Sequence, residues 1–345
     1  MKKHQRFNDN NIINFQEFLP SKKTQVRIIP RNRSQETYFL KLQDSTKTIL
    51  FAVGPAGTGK TLLATQTAIK LLKDKDIDKI REDCINNNHQ ILTYQIHTSN
   101  LCNQACVTCS SKFSSKWAEI EKRMSIVPTP TFYADPKGIG VNYQTAKRIE
   151  LLGGEPLFDS RTFDILEQLI KHNNTDCFIS IVTNGSISLT DKHHKLLSKF
   201  TDLNICISID GIGPVFEYMR WPGKWDTLTQ NIAQYKSIAK SLSVSYTLSS
   251  LNALYYDETV SWFQQQNLPF NHNVVTYPNW ASINATPNIL KQHLKQKNNF
   301  IARLLPQTGS ISIEDYREKI SQQDAAKKIK LEDYMPELAK IIFDN

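Results

Sequence analysis

The 345-residue sequence contains no run of about 18 apolar residues, so no stretch of it reads as a membrane-spanning helix. Its first residues, MKKHQRFNDNNIINF, lack the continuous apolar core of a secretory signal. These two absences predict a cytoplasmic protein with no membrane partner. Acidic residues are scarce at one end only. Residues 1–33 hold Lys2, Lys3, Arg6, Lys22, Lys23, Arg27, Arg31 and Arg33 against Asp9 and Glu17, which accounts for six of the nine net positive charges. The rest of the chain is nearly neutral, so the charge is no footprint for nucleic acid, and residues 1–33 read as a solvated basic tail. Cysteine is sparse as well. Of six, Cys84, Cys177 and Cys206 are scattered, while Cys102, Cys106 and Cys109 crowd into LCNQACVTC. That usage fits a reducing compartment with one metal site better than a disulfide framework. A fourth cysteine is missing beside the three, so a closed tetrahedral site would need a histidine such as His97. With 40% apolar and 22% charged residues, global disorder is excluded too.

The stretch TILFAVGPAGTGKTLLATQTAIKLL reads as a buried strand, Thr48 to Val53, a glycine-rich turn, and an amphipathic helix from near Lys60. Gly54, Gly57, Gly59, Lys60 and Thr61 fit a phosphate-binding loop. Glycines let backbone N–H groups face a phosphate, the helix N-terminus adds positive potential, Lys60 pairs with phosphate oxygens, and the Thr61 hydroxyl can hold magnesium. A glycine-rich turn without a ligand is the alternative. GPAGTGKTLLA and the upstream IIPRNRSQETY resemble the ATP-binding segment of PhoH-like P-loop proteins, which would put Gln35 near an adenine. The resemblance implies ATP and Mg2+ as ligands. It ends near residue 80, after KDKDIDKI, without the further strands and acidic residue that a P-loop ATPase uses.

From residue 90 the chain alternates apolar runs with helical patterns. The runs are Ile91 to His97, Arg148 to Leu152, Cys177 to Val182, Leu203 to Ile209, Ser243 to Leu248 and His272 to Thr276. Helices are predicted in SRTFDILEQLIKH, DKHHKLLSKF and WDTLTQNIAQYKSIAKSL between them. This order predicts an α/β fold, a partial six-stranded TIM-like barrel, whose active site lies at the C-terminal strand ends. Polar signatures follow five successive runs: the cysteines, GGEP (Gly153 to Pro156), TNGS (Thr183 to Ser186), SIDG (Ser208 to Gly211) and SSLN (Ser249 to Asn252).

Three thiolates at short loop spacing suit zinc, copper(I) or iron–sulfur. A four-iron cluster held by three thiolates keeps one iron open for a ligand, much as catalytic zinc does. The spacing of Cys102, Cys106 and Cys109 after a first strand, answered by GGEP after the second, resembles the radical S-adenosylmethionine superfamily across about residues 90 to 280. CVTCSSKFSSKW, with Ser114, Ser115 and Trp117, and SIDGIGPVFEYMRWPGKWDTLTQNI look like its twitch-type members related to the SPASM group. The resemblance implies that Cys102, Cys106 and Cys109 ligate a 4Fe-4S cluster and that Gly153, Gly154, Glu155 and Pro156 receive the methionyl amino group of S-adenosylmethionine. It also places Ser208 and Arg220 on the ribose and carboxylate, with Asn184 and Asp210 lining the same mouth. A reductant such as a flavodoxin or ferredoxin and a peptide or protein substrate are the implied partners.

Thr108 departs from the family, many of whose members place an aromatic beside the cluster. No cysteine follows Cys206, which implies a single cluster. The domain expectation is a basic tail at 1–33, a truncated PhoH-like segment at 34–80, a junction at 81–89, the barrel at 90–280 and a helical extension at 281–345 acting as a lid or docking element. Cys177 and Cys206 read as core thiols, and Tyr255 and Tyr256 as packing. The alternative function is a PhoH-like ATP-binding protein with a secondary barrel.

Overall fold

The computed structural model describes residues 91–306 and 310–344, all within one compact unit. The basic tail, Gly54, Gly57, Gly59, Lys60, Thr61, Gln35, Cys84 and the junction at 81–89 lie outside the described residues.

Six strands, β1 (Thr93–His97), β2 (Arg148–Leu152), β3 (Phe178–Thr183), β4 (Leu203–Ser208), β5 (Ser241–Leu248) and β6 (Phe270–Val274), form one parallel sheet in that order. The sheet is open, because β1 and β6 are its two edges. Helix α1 (Ser115–Arg123) crosses from β1 to β2, α2 (Ser160–Lys171) from β2 to β3 and α3 (Asp191–Leu197) from β3 to β4. Helices α4 (Gly213–Met219) and α5 (Trp225–Ile238) precede β5, and α6 (Tyr256–Gln265) leads to β6. Five more helices follow among the described residues: α7 (Asn288–Lys297), α8 (Asn299–Leu304), α9 (Ile313–Lys327), α10 (Leu331–Tyr334) and α11 (Pro336–Phe343).

Local sequence explains these elements. Asp159 caps α2 by accepting from the Arg161 N–H, and Thr162, Ile165, Leu166 and Leu169 form its buried stripe at helical spacing. Thr190 and His193 close a capping box at the start of α3. The strands alternate rather than run continuously apolar. Ile149, Leu151, Ile179, Ile181, Ile205, Ile207, Val244, Tyr246 and Leu248 are buried beneath the helices. Their neighbours on the opposite face are mostly polar, Leu152, Phe178 and Val182 apart, and one level carries side-chain hydrogen bonds between β1 and β2 and from β3 through β4 to β5. Gln95 donates to Glu150 (3.3 Å), Asn204 to Ser180 (3.0 Å) and Ser241 to Asn204 (3.0 Å), at positions that pair rung by rung. Helices therefore cover one face, and the other stays mostly polar, unlike a parallel sheet buried on both sides.

A flat sheet would hold β2 and β6 about 19 Å apart. Residues of both strands nonetheless line one 420 Å³ cavity, so the sheet curls around its polar face. Cys206 belongs to that face. It alternates out of the core onto the side that Ser208 occupies and is half-buried, whereas Cys177 is a core thiol as expected. The C-terminal helices share the main core through Tyr316, Ile320, Leu338, Ile341 and Ile342. Tyr255 and Tyr256 are packed as expected, with Tyr256 stacked on His272 at 5.4 Å.

Strand limits differ from the sequence reading at the ends. β1 begins at Thr93, two residues late, because its register with β2 starts at the Thr93–Arg148 pair, and Ile91 and Leu92 before it are exposed. β6 lies two residues earlier than expected, at Phe270–Val274, since its register is fixed by pairing of Phe270 with Val244. β5 likewise starts at Ser241, where it pairs with Asn204.

Candidate active site

The loop after β1 carries the three cysteines and is fastened from four sides. From the β2 end, Gly154 N–H donates to Ser99 O (2.8 Å) and Glu155 N–H to Leu101 O (2.7 Å). Both glycines of GGEP are needed for this approach. A Cβ on Gly154 would sit 2.1 Å from Leu101 O, and one on Gly153, whose φ is +142°, 2.6 Å from Ser99 O. From α1, the Ser114 hydroxyl donates to Gln104 O (2.5 Å), Ser115 Oγ lies 3.0 Å from both Cys102 N and Cys102 O, and the Trp117 indole donates to Cys106 O (2.8 Å). From the α4–α5 link, Trp221 O accepts from Ala105 N–H (2.7 Å) and Met219 O from Val107 N–H (2.8 Å). Asp159, at the start of α2, accepts from the Ser99 hydroxyl at 2.6 Å. Ser114, Ser115 and Trp117 thus act as struts for the cysteine backbone.

All three cysteines line the 420 Å³ cavity. Leu152, Gly153 and Gly154 close it from β2, Val182, Thr183 and Asn184 from β3, Ser208 from β4, Thr247 from β5, and Val274 to Tyr277 from β6. Arg220 and Gln104 complete the floor, and Phe113 stands at the rim. The Asn184 amide is 3.8 Å from Cys102 Sγ and donates to Asn103 Oδ1 at 2.9 Å. Of the residues expected here, Gly153, Gly154, Asn184, Ser208 and Arg220 reach the cavity.

The others stand behind it. Glu155 is 1% exposed, and its carboxylate accepts from the Thr183 hydroxyl (2.6 Å), Asn184 N–H (2.6 Å) and Leu157 N–H (3.0 Å), which ties the ends of β2 and β3 together. Burial pushes its pKa up to about 7 despite those three donors. Asp210 is fully buried, with Arg220 Nε 2.8 Å from its Oδ2 and Thr247 N–H 3.0 Å from its Oδ1. It pairs with Arg220 and does not line the cavity. Asn252 of SSLN is a further strut, donating to Asp210 O and Thr247 O at 2.8 Å.

Burial raises all three thiol pKa values, Cys109 to about 12. The thiols also feel one another, since Cys106 raises both Cys102 and Cys109. Two cations oppose this. Arg220 Nη1 lies 3.9 Å from Cys106 Sγ, and Arg220 and the buried Lys327 of α9 both favour thiolate at Cys106 and Cys109. For Arg220 burial works against the charge, but Asp210 and Cys106 outweigh it and hold the guanidinium pKa above its ordinary value. Lys327 is pulled down to about 7 by burial, against the opposing influence of Cys106, Asp324 and Cys109.

Among the described residues, no three His, Cys, Asp or Glu groups converge to hold a single metal ion. His97, the histidine that would complete a zinc set, is exposed on β1 and does not line the cavity. The donor set on the wall is three soft sulfurs beside two buried cations, and this suits an anionic iron–sulfur group larger than one ion. Gln104 Nε2 is buried beside Gly223 without a hydrogen-bond partner, while its Oε1 lies 3.7 Å from Cys106 Sγ.

Sequence reasoning missed Gln104, Thr247, Lys327 and the β6 end. Gln104, between Cys102 and Cys106, was within the quoted motif and could have been found there. Lys327 gives no signal, since it lies in a polar helix among other lysines.

Comparison with known proteins finds two separate likenesses. A family model described as PhoH-like protein matches residues 27–82. No curated protein matches the chain. Similar solved structures include anSMEcpe with bound AdoMet and the Kp18Cys peptide, at 16% identity and a TM-score of 0.43, covering 59% of this chain and 57% of that one. Streptococcus suis SuiB bound to S-adenosylmethionine is similar at 13% identity and 0.45, covering 81% of this chain and 66% of its own. TYW1 with a lysine-pyruvate adduct bound is similar at 13% and 0.37, covering 69% and 81%. The chain spans 57% to 63% of the length of the anSMEcpe structures.

Proposed function

We propose that this chain is a radical S-adenosylmethionine enzyme, in which Cys102, Cys106 and Cys109 hold a 4Fe-4S cluster and a peptide or protein is the substrate class. The observation that carries the reading is the meeting of three thiols, one buried and two half-buried, a double-glycine strand end and a buried arginine on one cavity at the C-terminal ends of parallel strands. When bound, the cluster supplies the electron that cleaves S-adenosylmethionine reductively and so starts hydrogen abstraction from the substrate.

The protein's own residues do the positioning. The Gly154 and Glu155 N–H groups are engaged by the cysteine loop, so carbonyls are what this edge offers to an ammonium group. Glu155 does not face the cofactor directly; it holds Asn184 and Thr183 in place. Arg220, aimed by Asp210, presents a planar cation to a carboxylate. Ser208, at the end of β4, offers a hydroxyl for the ribose. Val274 and Tyr277 give the rim an apolar side on which a substrate side chain can rest. The sequence resemblance to twitch-type members supports the peptide class, and a flavodoxin or ferredoxin as reductant follows from the same resemblance.

The test is anaerobic reconstitution with iron and sulfide, reduction in the presence of S-adenosylmethionine, and assay for 5′-deoxyadenosine. Product from the parent and none from Cys106→Ala is expected. A parent that takes up no iron, or that takes it up and forms no product, refutes the reading.

The match of residues 27–82 to a PhoH-like model favours a second, separate activity, ATP binding through Gly54, Gly57, Gly59, Lys60 and Thr61 with Mg2+. Equilibrium binding of ATP that disappears in Lys60→Ala would establish it.

A further inference from the structure

The C-terminal end of α9 lies against the cysteine loop. Ala326 packs on the small apolar cluster of Ala105, Trp117 and Ile120, on which Cys109 and Trp221 also rest. The next residue, Lys327, is 3% exposed. Its Nζ lies 5.2 Å from the centre of the Trp117 ring and 5.9 Å from that of Tyr218. It has no hydrogen-bond acceptor. The carboxylate one turn earlier, Asp324, is engaged elsewhere, accepting from the Tyr218 hydroxyl and the Leu331 N–H at 2.8 Å.

A buried ammonium without an acceptor is an unmet electrostatic demand. Two aromatic faces meet part of it. The other negative potential it feels comes from Cys106, Asp324 and Cys109. Trp117 connects the two sides, since its indole N–H is bonded to Cys106 O while its face receives the ammonium. Arg220 approaches Cys106 as well, so the two thiols have a cation on each of two elements.

Resting on the proposed cluster assignment, we propose that Lys327 is a positioning residue for charge: a counter-cation behind the Cys106 and Cys109 side, kept protonated by the anionic iron–sulfur group held there, that raises the reduction potential of that group. Net charge near a cluster is one of the main controls of its potential. Removing a nearby cation makes the added electron harder to hold, so the potential falls.

The test compares the reconstituted parent, Lys327→Met and Lys327→Arg by iron and sulfide content and by EPR-monitored reductive titration. Lys327→Met should bind iron as the parent does and show at least about a tenfold lower ratio of reduced to oxidised cluster at the parent's midpoint, ~59 mV for a one-electron couple. Lys327→Arg, which keeps the charge, should titrate near the parent. An unchanged midpoint in a cluster-loaded Lys327→Met protein overturns the proposal. If Lys327→Met loads no cluster, loading of Lys327→Arg supports the charge role, and failure of both assigns the site to shape and overturns it. A parent without iron is a different result, and it refutes the cluster assignment itself.

Discussion

The two walls of the cavity are built in opposite ways. On the β1–β2 side every few residues of the cysteine loop are bonded to a strut: Ser99 and Leu101 to GGEP, Cys102, Gln104 and Cys106 to α1, and Ala105 and Val107 to the α4–α5 link. On the β6 side the chain leaves the sheet with one backbone bond, Val275 N–H to Leu248 O, and then exposes Val274 (43%) and Tyr277 (75%). The wall that carries the three sulfurs is densely bonded, and the opposite wall is sparsely bonded and exposed. Under the proposed function the first would set reaction geometry and the second substrate choice, and substitutions should tell them apart.

Gly154→Ala should do the most damage. The new methyl meets the Asn100–Leu101 backbone, 2.1 Å from Leu101 O and 2.8 Å from Asn100 C, and that segment cannot retreat without tearing the loop from β2. A loss of about 4 kcal/mol or more is expected in urea unfolding, together with poor iron retention. Gly140→Ala is the control, because it has no neighbour within 4 Å and its φ of +70° alone should cost about 1–2 kcal/mol. If the two glycine variants lose stability equally, the loop is not held as described.

Arg220→Met comes next. It leaves Asp210, fully buried, without its cation, and breaking such a pair costs about 3–5 kcal/mol. Thermal or urea unfolding measures the loss, and Asp210→Asn in the same background should recover part of it.

The Glu155 tie gives a pH dependence. Its pKa is raised from 4.5 to about 7, so the folded protein keeps a proton that the unfolded chain releases between those values. The stability it contributes is complete below pH 4.5 and is lost as pH rises to 7, by about 3 kcal/mol. Glu155→Gln should flatten that part of the curve in urea unfolding at several pH values. A difference between variant and parent that does not vary with pH would show the carboxylate to be unshifted.

The smallest effect belongs to the other wall. Tyr277→Ala should change stability by no more than about 0.5 kcal/mol, since the side chain is mostly exposed. Its consequence should appear instead in the KM for a peptide substrate.

Much of this was legible in the sequence, and the gaps share a cause. The order of strands and helices, the three cysteines and the placement of GGEP at the end of β2 could be read from spacing and periodicity. What the glycines are for could not. They suggested close approach of a cofactor, and the structure shows that their backbone is pressed against Ser99 and Leu101. The family resemblance put Glu155 on the edge that receives the methionyl amino group and Asp210 in the mouth of the site. Both are instead buried behind residues that face it, a distinction set by contacts with β3, β5 and Arg220 distant in sequence. Lys327 was invisible for the same reason, for nothing local marks one lysine of a polar helix as buried.

The indole of Trp117 has a further consequence. It is held by its nitrogen to the carbonyl of Cys106 and has the Lys327 Nζ 5.2 Å from its ring centre, so its emission should respond to a change of charge at that cysteine. The chain thus carries an internal optical reporter. Emission from Trp117 should change when anything binds at Cys106, so loading of the loop can be followed in real time without a label, with Trp117→Phe to identify the signal among the five tryptophans.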